Sequence, residues 1–600
     1  VRTRRALVAL LATLLGVAGC SLFADDPTDT YEALATALTD VDVDAAAGHT
    51  DDAAAARAAI TSMYAGMGFG DRAAAQKAGK KVSVRAEGVD EKSGRGSLEF
   101  RWTFGPGKEF AYRTEATATD DDGWRVHWDP TLLHPALTRA LSFQYSDDKN
   151  LETPVTDRRG LPLLTWQTVG VVTVARDQAD ARSAALAQIL NRIDPSITAT
   201  SIRASADAAT SDSVTVVTLR AGDLRTVRDR LGAVPGISVS EQGKLLTVDR
   251  SLRSPALAQI PDRWNDRITA SAGWSVDLVD GSGTTVDRLA TRAPGDVEAV
   301  PLTLDLRLQR LAQRAVASEA KPTALVAISA STGGLLAVAQ NGAADRQGPI
   351  ALSGLYPPGS TFKTVTTAAA LESGDVTAGT PLPCPGRATI ENRTIPNEDE
   401  FDLGTVPLRT AFAQSCNTTM GALSDKLGPT ALRDTAARFG IGVDFVAPGI
   451  TTVTGSVPAA DTPAQRVESG IGQGRVTTSP FGLAVAEASL AHGSMILPSL
   501  LSGQTTTADQ RPPALDPAVV SQIRSMMRDT VTAGTARSLR DIPGLGGKTG
   551  TAEFGDNSGA HGWFAGILGD VAFATLVVGG DSSSPAVSVS GQFLRGSLGD

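Results

Sequence analysis

Apolar residues recur along this chain at two periods, and the changes of period mark its regions. From 98 to 104, Leu98, Phe100, Trp102 and Phe104 alternate with polar neighbours, the pattern of a half-buried strand. An alanine-rich helical stretch precedes that strand. A hairpin is predicted at Asp121-Asp122-Gly123, with Trp124, Val126 and Trp128 on the returning strand. Around 213–248 the pattern predicts a β-α-β-β unit: strand 213–219, helix 224–231, then strands 237–240 and 245–248. The period becomes helical over 305–320, where Leu308, Leu311, Ala312, Ala315 and Val316 form one face. Apolar runs at 324–328 and 335–338 flank Ser331-Thr332-Gly333-Gly334 as a hairpin. Helices are expected at 361–371, 406–414 and 418–427, and strands at 548–554, 563–568 and 571–578, with a Gly569-Asp570 turn. Helices and antiparallel strands mixed over 600 residues predict an α+β multidomain protein.

Composition narrows the classes. The net charge is -10 and no basic run occurs, which argues against nucleic-acid binding. The 5 histidines are scattered and no H-E-x-x-H pair exists, so no metal site is predicted and no cofactor is expected. At the start, Arg2, Arg4 and Arg5 precede the apolar run 6–18, shorter than the about 20 residues a membrane span needs. A basic start and a short apolar core predict an export signal over 1–20, with an uncleaved short anchor as the alternative. Either reading puts the rest outside the cytoplasm. In an oxidising compartment Cys384 and Cys416 invite a disulfide, and two buried free thiols are the alternative.

The chemistry is carried by three short motifs in order: Ser360-Thr361-Phe362-Lys363, Ser415-Cys416-Asn417 and Lys548-Thr549-Gly550. S-x-x-K alone says little, because it also occurs at Ser146–Lys149 and Ser318–Lys321. The first of those copies lies in a polar stretch expected as a loop, the second at a helix end. Only Ser360 follows a break, Pro357-Pro358-Gly359, and opens a helix. A serine in a first helical turn meets unpaired N–H groups and the positive end of the helix dipole. Lys363 follows three residues later on the same face, beside apolar neighbours that can lower its pKa. Lys548 and Gly550 share one strand face and Thr549 and Thr551 the other. Gly547-Lys548-Thr549 also resembles the tail of a phosphate-binding loop, but position 542 is Ile542 and a strand follows, so the nucleotide reading fails.

This ordered set resembles that of the penicillin-binding proteins and class A β-lactamases. Together with Thr303-Leu304-Asp305, Ile471-Gly472-Gln473-Gly474 and Ser479-Pro480, it resembles a class B penicillin-binding protein, a peptidoglycan D,D-transpeptidase. The resemblance implies a penicillin-binding transpeptidase domain over 300–600, an antiparallel sheet flanked by helices as in serine β-lactamases. Helices followed by a curved sheet resemble an NTF2-like domain over 25–140, and 150–298 resembles the mixed linker or dimerisation region. Residues 17–20, ending in Cys20, resemble a lipobox in which Cys20 is lipidated. By this resemblance Ser360 would be the nucleophile, Lys363 its base and Ser415 a proton relay. Asn417 would orient the substrate amide, Lys548 with Thr549 and Thr551 would grip the substrate's terminal carboxylate, and Gly550 would let the substrate backbone come close. The implied partners are peptidoglycan stem peptides, β-lactams, the membrane through an N-terminal lipid anchor, and a glycosyltransferase. The implied location is the extracytoplasmic face of the bacterial cell membrane. A penicillin-binding scaffold or sensor with little turnover, and a D,D-carboxypeptidase, remain the alternatives.

Overall fold

The computed structural model describes residues 26–391, 393–555 and 558–598. The expected signal and Cys20 lie outside the described residues. The described chain divides into two units, one of residues 26–150 with Thr269–Asp296, the other of Leu151–Ile268 with 297–598.

In the first unit, four helices between Pro27 and Lys77 precede a four-stranded antiparallel sheet. The helices begin at Asp26, Asp42, Asp52 and Asp71, each accepting a backbone N–H with its carboxylate. The strand Arg95–Gly105 buries Leu98, Phe100, Trp102 and Phe104, as the alternation predicts. The long hairpin, however, turns at Gly105-Pro106-Gly107, where both glycines take positive φ. The strand after Gly123 is only Trp124–Val126, because Trp128 turns away to bond Asp51 through its backbone.

Two expectations are corrected in this unit. Ser146 lies in a strand, Ser142–Asp148, and not in a loop. Phe143 of that strand points into the core, and its register partner is the strand Gly273–Val279. That second strand and its neighbour Thr285–Arg292 were expected in the linker region 150–298. Trp274, Val276 and Leu278 instead join the apolar core of Tyr31, Phe100 and Trp102. A strand that buries its inner residues in this way takes its domain from its partner strand, not from its place in the chain.

The second unit holds the remainder of the linker. Strand Ser213–Arg220, helix Ala221–Gly232 and strand Ile237–Thr247 follow as expected, but the last is one strand and not two. It pairs along its length with Pro162–Ala175. Gly243 lies between the two expected strands, and a Cβ there would lie 2.2 Å from the Trp166 ring, so the missing side chain makes room for that indole. Val155, Leu163 and Trp264 belong to the same core as the sheet that follows.

That sheet runs, in spatial order, Leu335–Gln340, Thr323–Ser329, Val571–Val577, Gly559–Leu568 and Gly546–Phe554, antiparallel throughout. Its central strands are buried on both faces, which explains their unbroken apolar runs. The period of two sorts them between two helical layers. Leu325, Ala327, Phe564 and Phe573 meet helices Leu306–Ala317 and Ser584–Leu598. Val326, Ile328, Trp563, Ala565 and Ala574 meet helices Lys363–Glu372, Pro480–His492 and Pro517–Thr532. Gly546–Phe554 is the edge strand. Lys548 and Gly550 pair with Ala565 and Trp563, so they face the second layer.

Candidate active site

Ser360 sits in a 3-10 turn, Gly359–Phe362, that runs directly into the helix Lys363–Glu372. The sequence placed it in the first turn of an α-helix; the tighter turn results from Pro357-Pro358-Gly359, since Gly359 takes φ 52° and its N–H bonds Gly472 O at 2.9 Å. A Cβ on Gly359 would stand 2.5 Å from Thr551 O, and one on Gly472 would stand 2.0 Å from Gly359 O. Bare backbone therefore lets the Ser360 turn, the edge strand and the 472 loop converge. Trp563 supports the turn from the sheet by donating Nε1–H to Pro357 O at 2.9 Å.

Lys363 is fully buried, one helical turn beyond Ser360. Its Nζ donates to Ser415 O at 2.7 Å, Asn417 Oδ1 at 2.6 Å and Ser415 Oγ at 3.3 Å. Lys548 is also fully buried, and its Nζ donates to Ser415 Oγ at 2.9 Å and Thr549 O at 2.9 Å. One serine hydroxyl thus lies between two buried amines. Burial, the nearby Lys548 charge and a smaller opposing pull from Glu398 set the Lys363 amine well below the ordinary lysine range. Burial brings Lys548 down to about 7, against the opposing pull of Glu398.

Ser415 is placed by its backbone. It takes φ 64°, a left-handed conformation that a non-glycine residue adopts at a cost of about 1 kcal/mol or more. The surroundings hold it there. Ser415 N–H bonds Phe412 O, Cys416 N–H bonds Ala411 O, and Cys416 is joined to Cys384 by a disulfide with Cα atoms 6.2 Å apart. The helix expected at 406–414 is shortened to Leu408–Ala413, because Gly404–Pro407 pairs as a strand with Pro381–Cys384. The next helix is Asn417–Asp425.

Asn417 makes contacts within the protein that the sequence does not predict. Its Oδ1 accepts from Lys363, and its Nδ2 donates to Pro396 O at 2.9 Å. The amide thus braces the Lys363 amine, and one Nδ2 hydrogen and one Oδ1 lone pair are left over for a further partner. Sequence reasoning missed Asn397. That side chain is 2% exposed, and its Oδ1 accepts from the N–H groups of Asn417 (2.8 Å) and Thr418 (3.2 Å). Its Nδ2 donates to Pro385 O and Phe401 O. It is an N-cap supplied from another loop, and no local pattern points to it. Of the other S-x-x-K copies, Ser318 caps the end of its helix and Lys321 pairs with Asp581, while Ser146 belongs to the first unit.

The arrangement is that of two buried amines, one a helical turn beyond Ser360 and one on an edge strand, with the Ser415 hydroxyl between them. Residues 323–595 match the family described as the penicillin binding protein transpeptidase domain, and residues 26–140 match the NTF2-like N-terminal transpeptidase domain. The chain is 33% identical over 276 residues to the peptidoglycan D,D-transpeptidase PbpA of Mycobacterium tuberculosis, covering 42% of this chain and 54% of that protein. It is 29% identical over 297 residues to the penicillin-binding protein PbpB of Mycolicibacterium smegmatis, covering 43% and 45%. The chain thus spans about half the length of these curated relatives. Its fold resembles a chain in the solved complex between penicillin-binding protein PBP2 and MreC from Helicobacter pylori. That match has a TM-score of 0.56 at 18% identity and covers 76% of this chain and 98% of the other. The chain therefore carries a penicillin binding protein transpeptidase domain behind an NTF2-like N-terminal transpeptidase domain, and peptidoglycan D,D-transpeptidases are among its relatives.

Proposed function

We propose that this protein is a peptidoglycan D,D-transpeptidase that works through an acyl-enzyme on Ser360 and is blocked by β-lactams. The observation that carries this reading is the placement of Ser415 Oγ, 2.9 Å from Lys548 Nζ and 3.3 Å from Lys363 Nζ. A neutral Lys363 amine has two hydrogens and one lone pair. Its two shortest bonds, to Ser415 O and Asn417 Oδ1, use the hydrogens and leave the lone pair for the Ser360 proton.

Ser360 Oγ attacks the carbonyl of the penultimate D-Ala as Lys363 takes the hydroxyl proton. The peptide C–N bond breaks, and the departing D-Ala amine receives a proton through the Ser415 hydroxyl. Lys548, Thr549 and Thr551 hold the terminal carboxylate of the donor, a charge-assisted contact. The N–H groups of Ser360 and Thr551 stabilise the oxyanion. The amine of a second stem peptide then attacks the ester, the C–O bond breaks, and Ser360 recovers its proton as the cross-link forms. A β-lactam ring opened by the same attack leaves no small amine to depart, so the ester persists.

The reading places the protein outside the membrane, anchored through a lipid on Cys20, with glycan polymerisation supplied by a separate glycosyltransferase. The NTF2-like domain, the segments after it and the transpeptidase domain then stand in the order 25–140, 150–298 and 300–600, with strands Gly273–Val279 and Thr285–Arg292 of the middle region belonging to the first unit. Among the described residues no helix is long and apolar enough to cross a membrane.

A fluorescent penicillin tests the core of the proposal. Label should attach covalently to the wild-type protein, fail on Ser360→Ala and Lys363→Ala, and persist on Lys321→Ala. Label that survives Ser360→Ala sinks the nucleophile assignment. Incubation with purified stem-peptide substrate separates transpeptidation from carboxypeptidation: cross-linked dimer supports the proposal, whereas loss of D-Ala without dimer favours the alternative.

A further inference from the structure

The turn that leads to the lysine-bearing strand carries a side chain that none of the three motifs contains. Helix Pro517–Thr532 ends at Ala533, and the chain reverses at Gly534. A Cβ at 534 would lie 2.3 Å from Ala413 O and 2.8 Å from Thr530 Cα, so the turn is pressed against the end of helix Leu408–Ala413, the helix that delivers Ser415. Two hydrogen bonds fix it there. Thr535 N–H donates to Ala413 O at 3.2 Å, and Gln414 Nε2 donates to Ala533 O at 3.1 Å. From this position the Thr535 hydroxyl stands 2.6 Å from the hydroxyl of Thr549. Thr549 is 3% exposed, whereas Thr535 is exposed.

A pair of hydroxyls can share one hydrogen bond in either direction. A carboxylate only accepts, so a Thr549 hydroxyl that serves one must spend its single hydrogen there. The proton in the Thr535–Thr549 bond must then come from Thr535. The result is a chain from Thr535 to Thr549 to the carboxylate, in which each bond polarises the next and the last is charge-assisted.

We propose that Thr535 is a positioning residue for acyl donors that end in a carboxylate: its hydroxyl donates to Thr549 Oγ1 and so aims the Thr549 proton at that carboxylate. The inference rests on the transpeptidase reading above and adds a residue to it. It also accounts for the two bonds between this turn and residues 413–414, which hold the second and third motifs in register.

The test compares acylation of the full chain by benzylpenicillin and by benzylpenicillin methyl ester, which lacks the charge. Rates are followed by mass spectrometry of the acyl-enzyme for wild type, Thr535→Val and Thr535→Ser. Thr535→Val should slow acylation by benzylpenicillin about 10-fold, the scale of one hydrogen bond into a charged group. It should change the methyl ester rate by less than about twofold, because that probe offers no carboxylate for the chain to serve. Thr535→Ser should restore the benzylpenicillin rate. The ratio of the two probes does not depend on the fraction of variant that folds, so a loss of stability does not obscure the result. Equal losses with both probes, or no loss with either, overturn the positioning role while leaving the transpeptidase reading in place. A wild-type protein that neither probe acylates overturns that reading, and this inference with it.

Discussion

Replacing Asn397 by alanine should loosen the active site while leaving every residue of the three motifs in the sequence. The side chain makes two kinds of contact. Its Oδ1 caps the helix Asn417–Asp425 by accepting from Asn417 N–H and Thr418 N–H, and loss of an N-cap costs about 0.5–2 kcal/mol. Its Nδ2 also donates to Pro385 O and Phe401 O; Pro385 O keeps a second donor in the Thr418 hydroxyl, whereas Phe401 O loses its partner at a cost of about 1 kcal/mol or more. Together these give about 2 kcal/mol, which is roughly a thirtyfold change in the equilibrium for opening this loop. The expected readout is local. Hydrogen exchange at the amides of Asn417 and Thr418 should speed up by roughly thirtyfold, and penicillin labelling of Ser360 should fall, because Ser415 and Asn417 hold the Lys363 amine. Asn397→Asp keeps an acceptor at the helix N-terminus but loses both donated bonds, so its effect should be intermediate. If exchange at residues 417 and 418 changes by less than about threefold in Asn397→Ala, the capping argument is wrong.

Three further outcomes follow from the geometry. Cys384→Ser with Cys416→Ser opens a loop of sequence separation 32, for which chain entropy gives about 3–4 kcal/mol of lost stability, read as a lower denaturant midpoint; an unchanged midpoint would contradict the constraint assigned to the disulfide. Acylation by an anionic β-lactam requires Lys363 neutral and Lys548 charged. Since Lys548 loses its proton at about 7, the rate should decline on the alkaline side of that value, and Lys548→Arg should remove the decline; a decline that persists in the arginine variant must belong to another group. Glu487 is buried in helix Pro480–His492 with one carboxylate oxygen lacking a partner, and burial raises it to about 8. The folded state therefore keeps a proton that the unfolded state releases above about 4.5, and stability falls as pH rises across that window up to about 8. Glu487→Gln should melt higher than wild type by a margin that widens from pH 5 to pH 8, and a margin independent of pH would refute the assignment.

The sequence by itself determined the local parts of this protein. Ser360 and Lys363 are three residues apart, and a proline–glycine break followed by a helical run places them on one face whatever surrounds them. The alternation of 98–104 and the apolar strands 323–329 and 571–577 were equally legible, because side-chain period is a property of consecutive residues. Tertiary structure decided whatever joins residues distant in the chain. It gave strands Gly273–Val279 and Thr285–Arg292 to the first unit, because their partner is Ser142–Asp148 and their core is Trp102 and Phe100. It turned the Asn417 amide toward Lys363 and Pro396, and brought Asn397 beneath it. Thr535 has no pattern of its own, and its hydroxyl meets Thr549 only because the turn before it is pressed onto Ala413. Period and turn chemistry act over a few residues, whereas a hydrogen bond between loops depends on where the whole core has carried each backbone. That is why the Ser360–Lys363 pair could be read from the chain and the side chains that brace it could not.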